Sequence, residues 1–208
     1  MVIYMAKSNK PIYPVYEEEL NELSYRPDGF FDRLLNFSLN KLTNPVKLPY
    51  SFFIPVSEYL RGELFCEDVA EAMGNYEFTQ RDLISILVDD FLFQVKDRNN
   101  PYDLYHELKQ RNDYFVKIYS YSEDKHQPPT FAKPNKTTKT KQIKCSLRRK
   151  VALRLEVMLS DITDVEPENE FVVEDILRLL YRDFIQQYKK GNLGNVIPGI
   201  IRRLNADK

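Results

Sequence analysis

Hydrophobic positions along this chain change period in a fixed order, and they do so twice. Tyr50, Phe52 and Ile54 alternate with Ser51 and Phe53, the period of a short strand, and Ile143, Cys145 and Leu147 alternate with Lys144 and Ser146 more cleanly still. Helical spacing then takes over. A first helix is predicted over about Ser57 to Met73, with Ser57 as its cap. Its counterpart spans about Arg149 to Thr163, with Leu153, Val157 and Met158 facing inward. Turns follow at Gly74-Asn75 and at Pro167-Glu168-Asn169. A second helix is predicted over Thr79–Lys96 and again over Val172–Lys189. Its apolar face is Leu83, Ile84, Leu87, Phe91 and Val95 in one case and Ile176, Leu177, Leu180, Phe184 and Tyr188 in the other.

The two passages are one unit written twice, residues 50–96 and 143–189, at a constant offset of 93. Without a gap, 12 of 47 positions are identical: Leu60/Leu153, Arg61/Arg154, Glu63/Glu156, Asp68/Asp161, Glu77/Glu170, Phe78/Phe171, Asp82/Asp175, Leu87/Leu180, Asp90/Asp183, Phe91/Phe184, Gln94/Gln187 and Lys96/Lys189. Chance pairing gives on the order of 3 at ordinary residue usage. Two copies are too few for a solenoid and suit a pseudo-dimer, one chain doing the work of two subunits.

Outside the repeats the pattern is less regular. Residues 1–27 form a Pro- and Tyr-containing arm with an acidic run at Glu17–Glu19. Asp28 to Asn44 is predicted as a helix with the stripe Phe31, Leu34, Leu35, Leu39 and Leu42, stopped by Pro45. Between the copies, Pro101 to Asn112 is predicted as a helix, Tyr114 to Tyr121 as a strand, and Lys125 to Lys141 as a flexible linker. An amphipathic piece, Val196 to Leu204, follows Gly191–Gly194. The expected organisation is an arm and helix (1–46), a first repeat (47–97), a connecting segment with a basic linker (98–141), a second repeat (142–190) and a tail (191–208).

The chain has 208 residues and a net charge of −1, so it is not a generally basic protein. Charge is nonetheless segregated. Lys133 to Arg154 holds nine Lys/Arg and no acid, whereas Asp161 to Asp175 holds seven acids and no base. Within it, Lys133–Lys150 reads equally as a solvated linker or as an arm that tracks phosphate. No apolar run approaches a membrane span and no signal peptide is evident, so a cytoplasmic protein with reduced, buried Cys66 and Cys145 is expected. The two histidines, His106 and His126, assemble neither a triad nor a metal site, and six glycines make no phosphate loop. The expectation is therefore no enzyme, no cofactor and no metal.

A five-residue strand followed by two helices leaves its backbone unpaired. Pairing the two strands antiparallel removes that cost and sets Tyr50, Phe52, Ile54, Ile143, Cys145 and Leu147 on a core of four helices. The pattern over Tyr50-Ser51-Phe52-Phe53-Ile54-Pro55 to Lys96, and over Ile143-Lys144-Cys145-Ser146-Leu147-Arg148 to Lys189, resembles the ribbon-helix-helix (Arc/MetJ-type) family of DNA-binding proteins. The resemblance covers roughly half the chain. It implies a mainly α fold with a short antiparallel β-ribbon, a tandem ribbon-helix-helix pseudo-dimer with additional helices. Pairing within one chain and strand exchange between two chains both remain open.

In that family the paired ribbon enters the major groove, which is wide enough for two strands. Carried across, the base-contacting residues are Ser51, Phe53, Gln142, Lys144 and Ser146. Lys144 suits guanine, Ser and Gln are adaptable, and Phe53 suits a thymine methyl. For Phe53, packing beneath an extra element competes with that role. Family members also anchor phosphate at the start of the second helix, here Thr79, Gln80 and Arg81. In the second copy Val172, Val173, Glu174 and Asp175 depart from this, and Arg148, Arg149 and Lys150 are the expected phosphate contacts instead. The footprint is thus expected to be asymmetric. The implied function is sequence-specific binding of double-stranded DNA, as a transcriptional regulator, most naturally a repressor. The alternatives are an accessory protein for plasmid partition or conjugative transfer, and a protein-interaction scaffold that has lost DNA readout. Expected partners are DNA, a second copy of the chain, and a protein reached through residues 1–46 or 97–122, with no membrane.

Overall fold

A computed structural model describes residues 13–24, 45–74, 77–96, 100–121 and 139–206. They form α1 (Pro14–Ser24), β1 (Lys47–Pro55), α2 (Val56–Met73), α3 (Gln80–Lys96), α4 (Pro101–Tyr121), β2 (Thr140–Arg148), α5 (Arg149–Val165), α6 (Val173–Lys189) and α7 (Val196–Ala206). The protein is mainly helical, and the described residues form one two-stranded antiparallel sheet. The predicted helix Asp28–Asn44, His126 and most of the basic linker lie outside the described residues.

The two strands pair within one chain, Tyr50 opposite Cys145, Ser51 opposite Lys144 and Phe52 opposite Ile143. Each strand has nine residues rather than five, because the pairing continues outward to Lys47 opposite Arg148 and Pro55 opposite Thr140. Thr140 and Lys141 therefore belong to β2, not to the linker. Alternation fixes which face is buried: Phe52, Ile54, Ile143, Cys145 and Leu147 are buried, and Tyr50 is half-buried.

The second helix of each repeat packs against the other repeat's strand, α6 under β1 and α3 under β2, so the halves are intertwined. Symmetric backbone bonds close the first helices. Val56 N–H donates to Lys139 O at 3.0 Å, and Arg149 N–H donates to Val46 O at 2.9 Å. Both donors and both acceptors are related by the offset of 93. The residue just before the opposite strand thus takes a free N–H that a side chain would otherwise cap. Ser57 is inside α2, and neither α2 nor α5 has a side-chain cap.

The buried stripe of α5 is Val151, Ala152, Leu155, Met158, Leu159 and Ile162. Leu153 and Val157, expected inward along with Met158, are only half-buried. On the second helices Leu83, Ile84, Phe91, Ile176, Leu177 and Phe184 are buried as their spacing predicts, whereas Leu87, Val95, Leu180 and Tyr188 of the same predicted faces are half-buried.

The segment Tyr114–Tyr121, expected as a strand, continues α4 as helix. Leu104, Leu108 and Phe115 fall at helical spacing and are buried together. A strand there would need a ladder partner, and the ribbon has only two members. Each repeat is followed by an added helix that crosses to the other half: α4 packs on α5, and α7 packs on α2. Matching ion pairs accompany this exchange. Arg111 of α4 lies 3.6 Å from Asp183 of α6, and Arg203 of α7 pairs with Asp90 of α3. The repeated Asp90/Asp183 are thereby explained as anchors for added helices.

Candidate nucleic-acid interface

One face of the ribbon covers the core, and period-two geometry turns the alternate residues outward. The outward pairs are Lys47/Arg148, Pro49/Ser146, Ser51/Lys144 and Phe53/Gln142. All are exposed except Ser51, which is half-buried. The five residues predicted to contact bases therefore lie together on one surface. Gln142 Nε2 donates to Ser51 Oγ at 3.0 Å, tying the strands across that surface. Phe53 is 59% exposed, so no element among the described residues covers it.

The two strands carry Lys47, Lys141, Lys144 and Arg148 and no carboxylate. Lys47 lies before the expected strand start at Tyr50, and carrying the alternation back through Leu48 reaches it. Lys139 and Lys150 are exposed just beyond the ends of β2. Most of this charge belongs to the second strand, so the surface is electrically one-sided.

The expected phosphate contacts divide. Arg148 is outward, its side chain 68% exposed and 3.7 Å from Asp89. Lys150 and Arg81 are exposed. Arg149 is different: its side chain is only 15% exposed, and its guanidinium meets Glu18 at 3.0 Å and Glu19 at 3.1 Å. Burial works against the charged form, but the hydrogen bonds to Glu18 and Glu19 outweigh it and raise the pKa above the ordinary arginine value.

Gln80 is buried, and its amide is used inside the protein. Nε2 donates to Tyr59 O and to the Glu63 carboxylate, and Oε1 accepts from Tyr181 Oη at 2.8 Å. Only its backbone N–H remains for an anion. Thr79 donates both its N–H and its hydroxyl to Asp82 Oδ2, at 2.8 and 2.6 Å. In the second copy Val172 N–H donates to Asp175 Oδ2 at 3.1 Å. The repeated Asp82/Asp175 thus serve both helix starts alike, a carboxylate at the third helical position reaching back to the residue before the helix. The first copy's helix start is consequently less open to phosphate than its hydroxyl and arginine suggest.

Among the described residues no group of three His, Cys, Asp or Glu is placed to hold a metal ion, and no helix is long and apolar enough to cross a membrane. Cys66 and Cys145 are free and buried, and burial raises their pKa to about 12 and about 11. Comparison with models of known protein families, with curated proteins and with solved structures finds no match to this chain.

Proposed function

We propose that the chain is a tandem ribbon-helix-helix protein that binds double-stranded DNA sequence-specifically, inserting its ribbon into the major groove as a transcriptional regulator. The observation that carries this reading is the outward ribbon face. It presents Ser51, Gln142, Lys144 and Ser146 between the cations Lys47 and Arg148, on strands without a carboxylate. Strands about 5 Å apart fit a groove about 12 Å wide with room for side chains. Hydroxyl, amide and ammonium groups match base edges, and the cations match phosphate. The same chemistry serves an accessory protein that binds repeats at a plasmid partition or transfer origin, and regulation of its own promoter separates the two.

A protein-interaction scaffold is the second reading. The helix starts occupied by Asp82 and Asp175 favour it, together with the exposed Phe53. The deciding experiment is selection of genomic fragments by the purified full chain at two salt concentrations, followed by sequencing. A recurring motif with unequal halves that survives the higher salt is expected. Recovery without a motif, lost at high salt, means phosphate binding without readout. No recovery at either salt leaves the scaffold.

A further inference from the structure

We propose that α1 is a built-in competitor for DNA phosphate: Glu18 and Glu19 occupy the guanidinium of Arg149, and full backbone contact requires this pair to open. The inference rests on the DNA-binding reading above and concerns regulation of the same surface.

Arg149 is the middle of three consecutive cations where β2 passes into α5. Its neighbours Arg148 and Lys150 are exposed, and Arg149 alone is withdrawn. Its Nη2 reaches Glu18 Oε2 at 3.0 Å, and its Nε donates to Glu19 Oε1 at 3.1 Å. A carboxylate and a phosphate present the same oxygen geometry to a guanidinium, so they compete for one set of donors. The two carboxylates also offset part of the positive charge of Arg148, Arg149 and Lys150 beside the ribbon, where a phosphate would approach.

The acidic residues are held there by the start of α1 and by Tyr13, the residue before it. Tyr13 Oη donates to Leu159 O at 3.2 Å and lies 3.0 Å from Thr163 Oγ1. Tyr16 N–H donates to Glu156 Oε2 at 2.8 Å, and Val15 is buried. α1 therefore lies along α5 with its glutamates at the ribbon junction. The first repeat has no such device, since the residue matching Arg149 is Val56. The competition bears on the second half alone.

The test measures affinity of the full chain for a short mixed-sequence duplex across a salt series. Glu18→Gln/Glu19→Gln should bind on the order of tenfold tighter at low salt, the worth of one charge-assisted contact. Its salt slope should steepen by about 0.9, the value for one added phosphate contact. Adding Arg149→Gln should cancel both changes. Glu67→Gln/Glu71→Gln makes the same charge change on exposed residues of α2 and should leave the slope unchanged. Measurable binding with equal affinity and slope in wild type and Glu18→Gln/Glu19→Gln overturns the competition and leaves the ribbon reading standing. An equal gain from the α2 control overturns it too, as a general charge effect. Absence of binding by every variant overturns both. If the double variant melts early, the single variants Glu18→Gln and Glu19→Gln carry the same comparison.

Discussion

Gly62 of α2 and Tyr181 of α6 meet so closely that a methyl at Gly62 would lie 1.7 Å from Tyr181 Oη and 2.8 Å from Cζ. Tyr181 is fully buried and spends its hydroxyl on Gln80. At the offset of 93 the matching residues are Leu155 for Gly62, Val88 for Tyr181 and Val173 for Gln80, all three buried. One of these two equivalent contacts between the repeats pairs a very small with a very large residue, where the other pairs two of middling size. The halves share a fold without being interchangeable.

Gly62→Ala forces the ring or the helix to move. Overpacking of this kind costs about 1–3 kcal/mol. A lower denaturation midpoint is expected, with the effect reduced when Tyr181→Leu is added to make room. Chemical denaturation of the single and double variants checks this, and additive losses would mean that the two side chains do not collide.

Lys144 and Ser146 are exposed on the ribbon, so replacing both by Ala should leave the denaturation midpoint nearly unchanged. Specific DNA affinity should fall about tenfold or more, because a good base contact discriminates by roughly 1–3 kcal/mol. Affinity for a selected target against a scrambled duplex is the measurement. Unchanged discrimination would remove this face from base reading.

Cys66 and Cys145 should resist thiol reagents in the folded protein. Both are buried, and a thiol raised to about 11 or 12 has almost no thiolate near neutral pH. Reaction with an aromatic disulfide reagent should be negligible in native buffer and should reach both thiols after unfolding. Fast native labelling of either would show that the ribbon or α2 opens readily.

Glu156 supplies a pH dependence. Burial raises its pKa, and the N–H groups of Tyr16 and Val15 oppose the rise only in part. The folded state therefore holds this proton at pH values where the unfolded chain has lost it. Stability from this group is highest at or below the usual carboxylate value, falls as pH rises through the raised folded value, and is flat above it. Glu156→Gln keeps an acceptor for Tyr16 and should flatten this part of the profile. Urea midpoints of both proteins from pH 4 upward, the foot of the ordinary carboxylate range, test this. An unchanged slope would assign the dependence to other groups.

Much of the local architecture was legible in the residues. Alternation in Ile143–Leu147 named the buried ribbon face, and the spacing of Leu83, Ile84 and Phe91 named the buried side of α3. Asp90 and Asp183 stood out as shared, but nothing adjacent in the chain named Arg203 and Arg111 as their partners. The alternation in Tyr114–Tyr121 suggests a strand, but no partner strand is present for it among the described residues and the segment is helix. The place of Gln80 at a helix start suggests a phosphate contact, whereas its side chain turns inward to Tyr181 and Glu63.

By itself the sequence determined the repeat, the change of period within each copy, the ribbon's two faces and the segregation of charge. These are local or periodic properties, set by which side of an element must leave water. Only the tertiary structure decided that the strands pair within the chain, that α3 and α6 cross to the opposite strand, and that Arg149 is held by glutamates 130 and 131 positions away. Periodicity records that a face is buried and a charge records that a partner is wanted. Which partner is reached depends on how the whole chain closes around its core.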